Sequence, residues 1–186
     1  MGVEELRSPE ERLGTQGPRN QLIKRAVEAG VNFFDTGQID EPQSLGLALK
    51  VLGRTDGIHV AAETLWPLRR LDEIPRHSWR EFLLGDIEKR LKLLGIERID
   101  VFNVHEVENG YSRDKLAFVL SVMKEMKDQG KIGAIGASTH QIRFLAEVIR
   151  KFDCFDSVMV PYNYYHQEAR STLFPLCKAS DIGVVI

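Results

Sequence analysis

The sequence predicts an α/β fold in which helices cover a parallel sheet, and two observations support this prediction. Helical and strand-like hydrophobic periods alternate along the chain from Pro18 onward. The strand-like runs are apolar throughout rather than at every second residue, so both faces of each strand must be buried. Strands of this kind pair in parallel and need helices packed outside the sheet.

The first two predicted helices end at glycines, which readily take the left-handed conformation that closes a helix. One helix has an apolar face around Leu22, and Gly30 stops it before the apolar run 31–36. The next repeats the helical pattern, and Gly53 ends it before the run 58–62. Each helix therefore leads directly into a strand.

The third and fourth predicted helices begin at serines. Ser78 has Glu81 three residues on, which is the spacing of a capping box. Ser112 can cap the following helix, which Gly130 ends. Two further helices follow. The predicted strands are 31–36, 58–62, the run before His105, 132–137, 157–160 and 183–186.

Polar residues at strand ends favour a barrel over an open sheet. Asp35, Glu63, His105 and Ser138 each lie at the carboxyl end of a different strand, so closure would bring them onto one face. An open doubly-wound sheet usually has a glycine-rich turn after its first strand, and no such turn follows a strand here. The sequence thus predicts an incomplete TIM-barrel-type (β/α) repeat, with about six of roughly eight strands.

Composition narrows the class of protein. The chain has 186 residues, 43% of them hydrophobic, and a net charge of −2, which favours one globular domain without nucleic-acid or membrane partners. The polar amino terminus lacks a hydrophobic signal core, so we expect a cytoplasmic protein. Cys154 and Cys177 have no metal-ligand spacing and are expected to be reduced. We assign residues 1–17 to a polar segment and 18–186 to the domain.

Four segments have the order and spacing of known motifs. Residues 30–37 read G-V-N-F-F-D-T-G, and residues 94–105 run from a leucine–glycine helix exit to a histidine. Residues 130–138 read G-K-I-G-A-I-G-A-S, and residues 161–163 read P-Y-N. Together they resemble the aldo-keto reductase family. The resemblance implies a (β/α)8 barrel that binds NADPH and transfers hydride to small-molecule carbonyl substrates.

The resemblance assigns a catalytic tetrad of aspartate, tyrosine, lysine and histidine. Asp35 and His105 keep the aspartate and the histidine. Asp40 stands where the proton-donating tyrosine is expected, and Glu63 stands where the lysine is expected. Two carboxylates at Asp35 and Glu63 would repel each other and raise the pKa of one of them. We therefore expect impaired carbonyl reduction, as in a pseudoenzyme.

The cofactor positions implied by the resemblance are altered as well. Ser138 is retained where the family holds the nicotinamide carboxamide. Thr139 replaces an asparagine, and Met159 replaces a glutamine. We therefore expect NADPH binding to be weak or lost.

The resemblance further implies that the first and last units of the barrel are missing, as in a fragment. No first strand is visible before Pro18, and the chain ends at Ile186 before the basic loop of an eighth strand. The strands at 31–36 and 183–186 are then unpaired edges, which invite self-association. A partner chain that completes the barrel is the less favoured alternative.

Two other functions stay open. The first is a non-catalytic binding or scaffold descendant of the family. The second is a divalent-metal site formed by Asp35, Asp40, Glu63 and His105, a ligand set that suits Mn²⁺, Fe²⁺ or Mg²⁺. Aromatic residues after the second strand offer little to decide between them, because we expect Trp66 and Trp79 to pack rather than to line a pocket.

Overall fold

A computed structural model describes residues 14–53, 55–64, 67–108 and 111–186. The helices are α1 (Gln16–Glu28), α2 (Asp40–Leu52), α3 (Pro67–Arg70), α4 (Trp79–Leu94), α5 (Arg113–Asp128), α6 (Ile142–Lys151), α7 (Ala169–Thr172) and α8 (Phe174–Ala179), with a 3-10 turn at Arg76–Ser78. The strands are β1 (Phe33–Thr36), β2 (His59–Thr64), β3 (Ile99–Val104), β4 (Ile132–Ser138), β5 (Ser157–Met159) and β6 (Gly183–Val185). Residues 1–13 of the predicted polar segment and Trp66 lie outside the described residues.

The strands form one parallel sheet in the order β1-β2-β3-β4-β5-β6, so each strand pairs with the next one along the chain. The register pairs Asp35 with Ala61, Glu63 with Asn103, and Asn103 with Gly136. Within the described residues β1 and β6 are the edges of this curled sheet. The predicted α/β class and the incomplete barrel are confirmed.

The hydrophobic core lies between the outer face of the sheet and the helices. Alternate residues of the central strands, such as Phe102 and Ile135, are 2% exposed and pack against the inward faces of α4 and α5. On α4 the buried positions follow the helical period, with Leu83, Ile87 and Leu94 among them. Consecutive residues are buried in β2 and in the later parts of β3 and β4, so both faces of the sheet are covered at these central strands. Among the described helices, none has the length and apolar character needed to cross a membrane.

Gly46 allows α2 to pack directly against α4. A Cβ atom added at this position would lie 2.1 Å from the Leu93 carbonyl oxygen and 2.9 Å from the Leu94 Cα. Backbone on the partner helix cannot move aside as a flexible side chain would, so glycine is required here. This contact fixes the middle of α2 against the carboxyl end of α4.

Two predicted helix caps are wrong, although the predicted helices form. Ser78 belongs to the 3-10 turn and already has helical backbone angles, so its side chain makes no capping hydrogen bond to α4. Ser112 stands at the start of α5 in an extended conformation, but it too makes no side-chain capping bond. Trp79 packs edge-to-face on Phe118 at 5.5 Å between ring centroids, which agrees with the predicted packing role.

Candidate active site

Neighbouring parallel strands bring polar side chains to the carboxyl edge of the sheet. Asp35 lies in β1, Glu63 in β2 and Ser138 at the end of β4, and His105 follows β3 directly. Because β2, β3 and β4 are adjacent, the side chains of Glu63, His105 and Ser138 converge. The predicted gathering of these residues on one face is present in the structure.

The carboxylate of Glu63 is the centre of this cluster. Its Oε1 lies 2.8 Å from His105 Nδ1, and its Oε2 accepts a hydrogen bond of 3.1 Å from the Ser138 hydroxyl. Ser138 Oγ also lies 3.4 Å from His105 Nδ1. The side chains of Glu63 and His105 are only 10% and 19% exposed, so their interaction is weakly screened by solvent. A glutamate at this position therefore pairs with the histidine.

A second carboxylate faces the other side of the imidazole. Glu106 Oε1 lies 3.7 Å from His105 Nε2, and the Glu106 backbone N–H donates a 3.3 Å hydrogen bond to Ser138 Oγ. Glu106 has a positive φ of 49°, which is uncommon for a residue with a side chain. The backbone turn after His105 is thus held to the end of β4, and it places an acid beside the histidine.

The pKa of Asp35 is raised to about 6, mainly by burial and then by the negative charges of Glu63 and Glu41. The backbone hydrogen bond from Thr36 and the charge of His105 oppose this rise. Asp35 lies on the edge strand, so part of the residue is exposed even though its carboxyl group is partly desolvated. The predicted repulsion between Asp35 and Glu63 contributes, but desolvation is the larger cause.

Asp40 is the first residue of α2 and is half-buried there. The α2 carboxylate whose charge acts on Asp35 is that of its neighbour Glu41. Glu41 Oε2 accepts hydrogen bonds from the backbone N–H groups of Gly37 at 2.6 Å and Gln38 at 3.0 Å. Sequence reasoning missed Glu41, although an acid in the first turn of a helix was a usable signal.

A buried ion pair on α4 holds segments beside the site, and sequence reasoning did not identify it. Arg90 donates from Nε to Asp86 Oδ2 at 3.1 Å and from Nη1 to the Gly37 carbonyl oxygen at 2.7 Å. Thr64 Oγ1 donates to the same Asp86 oxygen at 2.8 Å. These bonds tie the loop after β1 to the end of β2. The i,i+4 spacing of Asp86 and Arg90 was the available sequence signal.

The residues at the predicted cofactor positions have other partners. Thr139 Oγ1 donates to the Val107 carbonyl oxygen at 2.7 Å and accepts from the Gln141 N–H at 2.9 Å. Met159 is half-buried, and its carbonyl oxygen accepts a 3.2 Å bond from the Thr139 N–H. With Ser138 bonded to Glu63, neither hydroxyl group points free into the site.

The predicted metal site finds no support in the geometry. Across the residues that the structure describes, no three His, Cys, Asp or Glu side chains converge closely enough to hold a metal ion. Glu63 and His105 bind each other, while Asp40 belongs to the start of α2.

Comparison with known proteins places the chain in a family. The model of the aldo/keto reductase family matches residues 15–186. The chain belongs to the aldo/keto reductase family. It is 28% identical over 172 residues to aldo-keto reductase YhdN of Bacillus subtilis (strain 168), covering 89% of this chain and 50% of the relative. It is 25% identical over 171 residues to a probable aldo-keto reductase 1 of Glycine max, covering 88% and 47%. The chain thus spans about half the length of these curated relatives.

Solved structures of the family share the fold. An aldo-keto reductase from Bacillus halodurans superposes with a TM-score of 0.71 at 20% identity, over 91% of this chain and 54% of that one. A structure of an aldo-keto reductase from Pseudomonas aeruginosa gives a TM-score of 0.74 at 21% identity, over 99% and 66%. The aldo/keto reductase fold therefore accounts for the curled sheet and for the position of the site at its carboxyl edge.

Proposed function

We propose that this aldo/keto reductase family member carries an impaired form of NADPH-dependent reduction of small carbonyl compounds. One observation supports this most strongly. Glu63 stands at the position implied for the catalytic lysine and pairs with His105 at 2.8 Å. The cation that would be expected beside Asp35 is thereby replaced by a carboxylate, and the local charge is reversed.

Reversed charge disfavours the chemistry of carbonyl reduction. As a carbonyl accepts hydride, negative charge develops on its oxygen and must be met by hydrogen-bond donors and a proton. Asp35, Glu63 and Glu106 instead surround His105 with carboxylates. His105 Nδ1 is engaged by Glu63, and its Nε2 faces the carboxylate of Glu106 at 3.7 Å. Asp40 supplies no phenol in place of the expected tyrosine.

The residues present do not fit a tightly held nicotinamide ring. A carboxamide needs free donors and acceptors, but Ser138 is bonded to Glu63 and Thr139 is bonded to Val107 and Gln141. Met159 offers a thioether, which is a weak acceptor and not a donor. We therefore propose that NADPH binding is weak or lost, and we assign no step of a reaction to it.

The same features favour a second candidate, a non-catalytic binding or scaffold descendant of the family.

We also propose a cytoplasmic location, a single domain at 18–186, and self-association through the strand edges. The exposed Val184 of β6 supports the last point, since it is 40% exposed on an edge strand.

The test is NADPH consumption by the full chain with a series of small aldehydes, followed at neutral pH. We expect turnover far below that of a family enzyme with the full tetrad, and no further loss in a His105→Ala variant. Substantial turnover that His105→Ala abolishes would overturn both the impairment and the non-catalytic alternative. Melting curves of both proteins control for misfolding.

A further inference from the structure

A cavity of about 170 Å³ lies along the edge strand β1, between α1 and α2. Its walls are mostly apolar, and the polar part of its lining includes Arg19, Asp35 and Glu41. The apolar wall is formed by Leu22, Ile23, Phe34 and Leu45. The cavity opens to solvent, since Leu22 is 65% exposed, and its volume is similar to that of an enclosed apolar cavity of about 150 Å³ that accepts benzene.

Arg19 brings unsatisfied donors to this cavity. Its Nε and Nη1 are shielded from solvent and have no hydrogen-bond partner in the part of the chain that the structure describes. A guanidinium N–H that has lost water without gaining a protein partner costs free energy. An acceptor that reached the cavity would recover this cost.

The other polar groups of the cavity already have partners. Ser44 Oγ donates to Gln16 Oε1 at 3.0 Å, and Gln16 Nε2 donates to the Ser44 carbonyl oxygen at 3.0 Å. The Glu41 carboxylate accepts the N–H groups of Gly37 and Gln38. Arg19 is thus the lining group with donors to offer, and its preferred acceptor is an anion.

We propose that this pocket binds a small anion with an apolar body, of the class of an aromatic carboxylate, with its charged group on Arg19. The carboxylate would form charge-assisted hydrogen bonds with the guanidinium, after a rotation of this long side chain. The ring would lie against Leu22, Ile23 and Phe34. The pocket borders the proposed carbonyl-reduction site, because Asp35 lines it, but anion binding requires neither NADPH nor His105.

Asp35 gives this binding a pH dependence. Its carboxylate lines the cavity and opposes an anion when ionised, and it protonates near pH 6. The charged groups that face it are Glu63 from β2, Glu41 from α2 and His105 after β3. Binding of an anion that stays ionised should therefore strengthen as the pH falls from 7 to 5.5.

The experiment compares benzoate with its neutral isostere benzamide on the full chain, without cofactor, by isothermal titration and by chemical-shift changes in α1. The variants are Arg19→Gln and the matched control Arg25→Gln, since Arg25 is an exposed arginine of the same helix. We expect saturable benzoate binding that weakens about tenfold for benzamide and for Arg19→Gln, the effect of one hydrogen bond to a charged group. Arg25→Gln should bind benzoate as the unmodified chain does.

Three results would overturn the proposal. These are no saturable benzoate binding at pH 5.5, equal affinity for benzoate and benzamide, or unchanged affinity in Arg19→Gln. If Arg19 pairs with Asp35 in solution, benzoate should not bind saturably. Arg19→Gln would then break this ion pair and lower the melting temperature. A failure to bind NADPH leaves each of these readouts unchanged, so the two proposals are tested separately.

Discussion

Glu63 Oε1 lies 2.8 Å from His105 Nδ1, and this contact joins the ends of two neighbouring strands at the centre of the candidate site. The pair replaces the cation that the family resemblance implies beside Asp35. Its effect reaches Asp35, because the charge of Glu63 contributes to the raised pKa of that carboxyl group.

Neutralising Glu63 should lower the pKa of Asp35. In Glu63→Gln the repulsive charge is gone while the side-chain shape is kept, so the Asp35 pKa should fall from about 6 toward its ordinary value. Because burial is the larger cause, the fall should be partial. The measurement is a carbon-detected NMR titration of the Asp35 carboxyl group. Glu125→Gln, which removes a remote surface acid paired with Arg80, should leave the titration unchanged.

Asp35 should also make stability depend on pH. Its pKa is raised to about 6 in the folded state from 3.8, so the folded chain binds the proton more tightly than the unfolded chain. The contribution of Asp35 is therefore most favourable below about pH 4, declines between pH 4 and 6, and is constant above. Asp35→Asn should gain stability relative to the unmodified chain as the pH rises through this window. Urea unfolding at several pH values measures the difference, and a constant difference would contradict the assignment. Asp153→Asn serves as the exposed control.

Gly46→Ala should destabilise the fold. The added Cβ would meet the Leu93 carbonyl oxygen at 2.1 Å, so α2 and α4 must separate, at a cost of about 1–3 kcal/mol. Gly85→Ala is the matched control, since a Cβ there has no neighbour within 4 Å and lies on the exposed side of α4. That change should stabilise the chain by about 0.5–1 kcal/mol. Equal effects of the two substitutions would show that the helices do not touch at Gly46.

Removing the buried cation of the supporting ion pair should be costly. Arg90→Met leaves Asp86 without its partner and frees the Gly37 carbonyl oxygen, so we expect a loss of about 3 kcal/mol. The surface pair of Arg143 and Glu168, which is 82% and 46% exposed, provides the contrast. Arg143→Met should change the unfolding free energy by less than about 0.5 kcal/mol. Similar losses in both variants would contradict the buried role of Arg90.

Much of the fold could be read from local sequence patterns. Gly53 and Gly95 end helices in the left-handed conformation, and the apolar runs form strands, of which the central β2, β3 and β4 contain consecutive buried residues. Serine caps were less predictable, because Ser78 lies in a preceding 3-10 turn that spacing alone does not reveal. The close packing at Gly46 could not be predicted either, because it depends on contact with α4, a helix distant in sequence.

At the site, strand-end positions identified Glu63, His105 and Ser138, because parallel pairing brings strand ends together regardless of what lies between them. Side-chain partners required the structure. Asp35 and His105 both lay within reach of Glu63 by topology, and only the geometry shows that Glu63 binds His105. The roles of Glu41 and Arg90 depend on backbone groups of the loop after β1, whose path the sequence does not encode locally.

The most direct test of the central claim is an equilibrium titration of the folded full chain with NADPH, followed by cofactor fluorescence and melting temperature together. A ligand that binds only the native state must stabilise it. We expect no saturation below the millimolar range and little change in melting temperature, because Ser138 and Thr139 are already bonded. Saturable binding at micromolar NADPH, with a raised melting temperature, would contradict the account.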